Sequence, residues 1–343
     1  MTTTTVTRIV LPGLVEPDGL QVEHIAPPTA GPGEAVVAVE AAGVSFAEQG
    51  MRRGRYPGQP AFPFVPGYDL VGRVVEVGEG ASPELVGRRF AAATKIGGWA
   101  TRTVVRVEDL VAVPDGVEPE AAEAVVVNGI TAWQMLVDSA RVRAGGTVVV
   151  HGASGGVGTV LVQLALARGL RVIGTASLPH HEALRALGAE VVDSRAADPY
   201  AAVRQLAPEG VDAVFDHLGL ASARRSFPLL RRGGALVAYG TATDKNTDRS
   251  VLRIFAEMLG QIVLWTVTPN GRRASFYDFW GGHRLRPVAF RRRQHAALTA
   301  VLGLVAEGAI VPAIAARFPL ERAGEALALA ESRTVRGKVI LLP

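Results

Sequence analysis

The run HGASGGVG at residues 151–158 follows the apolar stretch TVVV and opens the apolar helical stretch TVLVQLALARG. Its spacing is Ala153-x-Gly155-x-x-Gly158, the G-x-G-x-x-G pattern with alanine in the first place. Such a turn can hold a pyrophosphate. Gly155 and Gly156 let the backbone approach the phosphates, Gly158 lets a helix pack on a sheet, and the helix N-terminus supplies amide donors. A glycine-rich turn without a ligand is the alternative, and the strand-before, helix-after context argues against it. An NAD site would place Asp or Glu about 20 residues on, at the end of the next strand. Here that strand ends in Thr175, Ala176 and Ser177, with no acid. The missing carboxylate removes repulsion against a 2′-phosphate, and Ser177 and His180 are donors for one. NADP is therefore expected over NAD. The alternative for His180 and His181 is a solvated helix start.

The elements that must position this turn can be read from periodicity. Residues 1–120 are rich in Gly, Pro and Val. EAVVAVEAAGV (34–44), LVGRVVEVGEG (70–80) and RTVVRVEDLVAVP (102–114) read as strands, with a proline-dense loop over 57–66. This outlines a β-rich, partly open barrel. From residue 120 a helical pattern, interrupted near Gly129, leads into alternating short strands and helices, the pattern of a doubly wound parallel sheet. LGQIVLWTVT (259–268) reads as a further strand at its edge, and residues 292–310 as an amphipathic helix. The last strand, far from the glycine turn, is expected to return to the first domain. The fold class is α/β.

Composition narrows the chemistry. None of the 343 residues is cysteine, which excludes disulfides, thiolate zinc sites, iron–sulfur clusters and cysteine nucleophiles. The seven histidines show no H-x-x-x-H or H-E-x-x-H spacing, so no metal is expected. Apolar residues at 48% and charged ones at 20% suit a soluble globular enzyme. The formal charge of +4 is small. Arginine clusters at 52–53, 231–232, 272–273 and 291–293 read as solvated faces first, sites for an anionic cofactor or substrate second, and nucleic-acid contacts last. There is no apolar run of about 18 residues and no secretory pattern at the start, so a cytoplasmic protein without a membrane span is expected.

The stretches AAGVSFAEQGMRRGRYP (41–57), PGYDLVGRVVEVGEG (66–80), VVNGITAWQML (126–136), VVVHGASGGVGTVLVQLA (148–165), VIGTASLPHHEALRALGA (172–189) and GKVILLP (337–343) carry a family resemblance. The chain resembles the zinc-independent branch of the medium-chain dehydrogenase/reductase superfamily, the quinone oxidoreductase group, and within it the vesicle amine transport protein homologues. The resemblance implies a GroES-like domain over 1–122, completed by 308–343, and a Rossmann domain over 123–307. It implies an active site in the cleft between them. Zinc-dependent relatives have a Cys ligand where Ser45 stands and Gly-His-Glu where this chain has Gly67-Tyr68-Asp69. Zinc-assisted alcohol oxidation is therefore not expected.

What the resemblance implies instead is hydride transfer to the carbon of a quinone or an α,β-unsaturated carbonyl, followed by protonation of the phenolate or enolate. Tyr56 matches a tyrosine that serves as proton donor, or else lines the pocket. Ser45 stands where many relatives have Asn beside the nicotinamide, and Tyr68 reads as a pocket wall. Thr131, Ser154, Gly155, Gly156, Val157, Gly158, Thr175, Ser177, His180, Leu218, Gly240, Thr241 and Arg333 match positions that line NADP. The family often has Lys where His180 stands and Tyr where Ser194 stands, which weakens the expected NADPH preference. Two other readings stay open: an enoyl-thioester reductase with a carrier-linked substrate, for which the arginines of 268–293 would suit an anionic group, and a non-catalytic dinucleotide- or RNA-binding protein. A homodimer through the 260–268 edge is expected.

Overall fold

The computed structural model describes residues 5–242 and 250–343. The chain divides into two compact units, residues 1–130 with 284–343, and residues 131–283.

In the first unit β1 (Val6–Val10) pairs with β2 (Gln21–Ile25). Then follow β3 (Glu34–Val44), α1 (Phe46–Arg52), β4 (Asp69–Val77), β5 (Arg89–Ala93), β6 (Arg102–Arg106) and β7 (Val111–Ala112). β3 pairs antiparallel with both β4 and β6, β4 with β5, and β5 with β7. Val37, Leu70, Val74 and Phe90 pack in one core with Trp99. The indole N–H of Trp99 is satisfied by the Gly43 carbonyl at 2.9 Å, so the largest buried ring leaves no orphan donor.

α2 (Pro119–Trp133) runs through Gly129 and continues as π-helical turns over Gln134–Ala140. The break expected near Gly129 does not occur. That glycine answers to packing: a Cβ there would lie 2.7 Å from Cγ1 of Val301.

The second unit holds β8 (Thr147–His151), α3 (Gly156–Ala167), β9 (Arg171–Ala176), α4 (His181–Ala186), β10 (Glu190–Asp193), α5 (Pro199–Leu206), β11 (Val211–Asp216), α6 (Leu220–Ser226), β12 (Leu230–Ala238), α7 (Val251–Val267) and β13 (Arg273–Phe276). The six strands form one parallel sheet in the order β10-β9-β8-β11-β12-β13. The stretch 259–268, expected as an edge strand, lies almost wholly in α7. Its buried residues Ile254, Met258 and Ile262 recur every four, the helical period, which the dense apolar run from 262 hides. Trp265 stacks on Phe227 at 4.3 Å and Phe255 meets the edge of Phe276, so α7 lies against the sheet. The edge strand is β13.

The chain then returns to the first unit as α8 (Pro287–Ala306), β14 (Ile314–Pro319), α9 (Ala323–Ser332) and β15 (Lys338–Leu342), with Ile340 of β15 opposite Gly43 of β3. Val301 of α8 covers Gly129, and Arg291 pairs with Glu108 at 2.7 Å and Asp109 at 2.8 Å. α8 thus groups with the first unit, whereas the boundaries at 123 and 307 read from the sequence assign it to the second.

Beneath β3 lies a buried ionic cluster. The Lys338 ammonium is 2.8 Å from Asp69 and 3.6 Å from Glu123. Only a glycine fits over it, since a Cβ on Gly43 would lie 2.1 Å from both Glu123 and Lys338. Burial, and then the charge of Asp69, hold the Glu123 carboxyl well above its ordinary value despite Lys338. A carboxyl raised on folding stabilises the fold while protonated. That contribution is complete below the unfolded value of 4.5 and is lost as pH rises through the folded value. Glu123→Gln cannot ionise. Its thermal midpoint is expected to fall less than the wild type's from about pH 5 to about pH 9, the gap in stability growing by about 1.4 kcal/mol per pH unit between the unfolded and the folded value and levelling off above the latter. Parallel dependence on pH for the two proteins would show that folding does not raise the Glu123 carboxyl.

Candidate functional site

In the second unit the apolar β8 ends at His151, and Gly152 then takes the left-handed conformation, φ 66°. A side chain there is barred twice, by the conformation and by the His217 ring, 2.3 Å from where a Cβ would stand. The amide of Ala153 donates to the Thr175 carbonyl on β9, and that of Gly155 to the Gly152 carbonyl, both at 3.0 Å. Gly155 is the N-cap of α3, with no side chain capping the helix and no acid in its first turn. A Cβ on Gly158 would meet the Gly152 carbonyl at 2.2 Å. Helix and strand therefore touch through bare backbone. Ser154, Gly155, Gly156 and Val157 are partly exposed on this turn. The left-handed glycine is thus Gly152, one residue before the position the spacing singled out.

The ends of the neighbouring strands surround the turn. Ser177 follows β9 with its hydroxyl capping nothing, and His180 is partly exposed after it. His181 is buried and its Nε2 hydrogen-bonds the Ala176 carbonyl at 2.9 Å, so the two adjacent histidines do different work. After β11, the Leu218 amide donates to Asp216 at 2.9 Å. After β12, Gly240 passes so close to the His217 carbonyl that a Cβ would stand 3.0 Å from it, and Thr241 is partly exposed. These residues meet at the carboxyl ends of β8, β9, β11 and β12, where the strand order reverses around β8. Open α/β sheets bind ligands at such a point. Thr131 is buried in α2, and Arg333, exposed in the left-handed conformation at the end of α9, belongs to the first unit.

Thr175 is buried, and its hydroxyl hydrogen-bonds Nδ1 of His151 at 3.0 Å. It opens a network that the motifs do not reveal. His151 Nε2 meets Ser226 Oγ at 3.0 Å, and Asp216 accepts from Ser226 at 2.9 Å and from Ser222 at 2.6 Å. Ser222 also bonds the Tyr200 hydroxyl at 2.7 Å. Burial lowers the His151 pKa against the pull of Asp216, which favours a neutral ring. Asp216, with three donors, keeps the Leu218 loop in place. Its signal in the sequence is only an Asp ending a strand two residues before Leu218.

In the first unit Ser45 caps α1. Its oxygen accepts from the Ala47 amide at 3.1 Å and its hydroxyl donates to Glu48, whose carboxylate also takes the Ser45 amide. Burial raises the Glu48 pKa against the Ser45 bond. The other Glu48 oxygen accepts from the Tyr68 amide at 2.8 Å. Tyr56, half-buried in the loop after α1, places its hydroxyl 2.5 Å from that of Tyr68. Tyr68 is thus more than a wall, since it holds the Tyr56 oxygen.

The turn can take an anionic dinucleotide, and the phenol pair can supply a proton. A family model described as zinc-binding dehydrogenase matches residues 187–341, and one described as alcohol dehydrogenase GroES-like domain matches residues 31–115. Among the described residues no group of three or more His, Asp or Glu could hold a metal ion. No helix there is long and apolar enough to cross a membrane. The human synaptic vesicle membrane protein VAT-1 homolog is 31% identical over 330 residues, 94% of this chain and 82% of that one. A quinone oxidoreductase of Pongo abelii is 29% identical over 315 residues, 90% of this chain and 89% of that one. The crystal structure of Escherichia coli quinone oxidoreductase complexed with NADPH superposes with a TM-score of 0.85 at 25% identity, covering 98% of this chain and all of that one. With its GroES-like and Rossmann-like parts, the chain belongs to the zinc-binding dehydrogenase family of medium-chain dehydrogenases/reductases, in the group of the quinone oxidoreductases and VAT-1 homologues.

Proposed function

We propose that the protein is an NADPH-dependent reductase of quinones or α,β-unsaturated carbonyls. The observation that carries this reading is the uncapped glycine turn of α3, beside a β9 end that offers Ser177 and His180 in place of an acid. The turn fits a pyrophosphate because helix amides and close backbone take the anion without a competing carboxylate. Gly155, Gly156, Val157 and Ser154 would hold the pyrophosphate, and Ser177 and His180 the 2′-phosphate. NADPH supplies the reducing equivalent when bound. This chain's part is to orient it, keep its site polar only where phosphates lie, and deliver the proton. Reduction at carbon leaves an enolate or phenolate, which the Tyr56 hydroxyl protonates. A phenol with an ordinary pKa of about 10 is matched to such an anion.

Mixing NADPH with a 1,4-quinone, a 2-enone or a crotonyl thioester and following nicotinamide absorbance tests the reading. Oxidation by the quinone or enone is expected. Oxidation by the thioester alone would make the protein an enoyl reductase, and tight NADPH binding with no turnover would make it a binding protein. Tyr56→Phe is expected to lower kcat about a hundredfold with KM little changed. Unchanged turnover would remove Tyr56 as the donor. His180→Ala is expected to weaken NADPH binding about tenfold and leave NADH binding as it was. Equal loss for both cofactors would take His180 out of the phosphate site.

We further propose a homodimer. The expected edge strand is a helix, yet α7 leaves Leu259, Val263, Leu264 and Val267 exposed, each by half or more. A face of that kind on a soluble chain is commonly covered. Light scattering is expected to give the mass of two chains, and of one for Val263→Asp combined with Leu264→Asp. A wild-type monomer would refute it.

A further inference from the structure

We propose that Tyr68 is a positioning residue that works with Tyr56 as one proton-donating pair. Its hydroxyl orients the Tyr56 oxygen and donates to that oxygen once the Tyr56 proton has gone. The proposal rests on the reading of Tyr56 as the proton donor.

The two hydroxyls stand 2.5 Å apart and the rings are nearly perpendicular, 83°, with centroids 5.9 Å apart. Edge-to-face packing therefore fixes the rings while the oxygens meet. Tyr68 is held firmly. Only 4% of it is exposed, its amide donates to Glu48 at 2.8 Å, and its carbonyl accepts from the amides of Thr94 at 2.9 Å and Lys95 at 3.2 Å. The next residue, Asp69, is gripped by Lys338. Tyr56 sits on the loop after α1 and is partly exposed. A rigid, buried phenol thus carries a more accessible one.

The step balances simply. The Tyr56 O–H bond breaks and its proton forms a C–H or O–H bond on the enolate or phenolate. The negative charge moves to Tyr56 Oη, and water later returns the proton. Nothing is oxidised or reduced in this transfer. A hydrogen bond from Tyr68 to the neutral Tyr56 is an ordinary one, whereas to the phenolate it is charge-assisted and roughly twice as strong. The difference favours proton release, because hydrogen bonding to the charged form of an acid stabilises that form. A Tyr68 that merely filled space would need its ring and not its hydroxyl.

The test is a double-mutant cycle on the full chain, with NADPH and the same 2-enone. Tyr68→Phe is expected to lower kcat about tenfold, to keep both KM values within about twofold, and to move the basic limb of the kcat–pH profile upward. In the Tyr56→Phe background the same change is expected to do nothing further. If Tyr68→Phe slows both backgrounds by the same factor, or leaves kcat and the pH profile of the wild type unmoved, the pair is overturned while Tyr56 keeps its role. If Tyr56→Phe turns over like the wild type, the donor reading itself falls. An alkaline ultraviolet titration of tyrosinate, wild type minus Tyr56→Phe, reads the same coupling without turnover, and its midpoint is expected to rise in Tyr68→Phe. Should Tyr68→Phe melt early, 3-fluorotyrosine at position 68, a stronger donor of the same shape, is expected to move the basic limb downward. An unmoved limb there overturns the pair as well.

Discussion

The Lys338 ammonium lies 2.8 Å from Asp69 and 3.6 Å from Glu123, and all three side chains are shut away from water. Burying an unpaired charge costs several kcal/mol, so each of these groups holds the others in place. Lys338 and Asp69 neutralise one another, and burial together with the charge of Asp69 raises the Glu123 carboxyl, which works against a surplus negative charge. Because Lys338 is on the last strand, Asp69 on β4 and Glu123 on α2, this one contact fastens the chain's end to its first unit. It also sets Tyr68, the residue before Asp69. Glu48 takes the Tyr68 amide and completes the cap of α1 through Ser45. The phenol pair is therefore the outer face of a chain of contacts that begins with a buried ion pair.

The second unit is organised by a different constraint, the approach of bare backbone. Gly152 must be left-handed and Gly158 must lie against its carbonyl, so neither tolerates a side chain. What these glycines cannot supply, a polar anchor, comes from beneath. Asp216, Ser222, Ser226, His151 and Thr175 link β8, β9, β11 and α6 through side-chain hydrogen bonds. A buried network is worth having only when its members are satisfied. Here it holds the strand ends, and hence the loops around the glycine turn, in one arrangement.

Much of this was legible. The β3 run 34–44 and the βαβ alternation from residue 147 follow from apolar period and glycine punctuation, and the return of the last strand follows from its distance from the glycine turn and from the family resemblance. The misreadings have physical causes. In 259–268 a short apolar run fits either period, and only the preceding turn, with Ile254 and Met258, reveals the helix. Gly129 looked like a helix break because propensity is local, whereas the reason for that glycine is Val301 on another helix. At Thr175 position points to a cofactor contact, and the structure adds a hydroxyl bonded to His151. His180 and His181 are indistinguishable as letters, and burial separates them.

By itself the sequence determined the classes of chemistry open to this protein. The absence of cysteine and the glycine turn without a following acid are matters of residue type and spacing, which need no third dimension. Family membership was readable in the same way. Tertiary structure alone decided partnership. Tyr68 meets Tyr56 across twelve residues, Lys338 meets Asp69 across 269, and His151 meets Ser226 across 75. No local pattern encodes such pairs, because hydrogen bonds and ion pairs depend on distances that only the packed core sets.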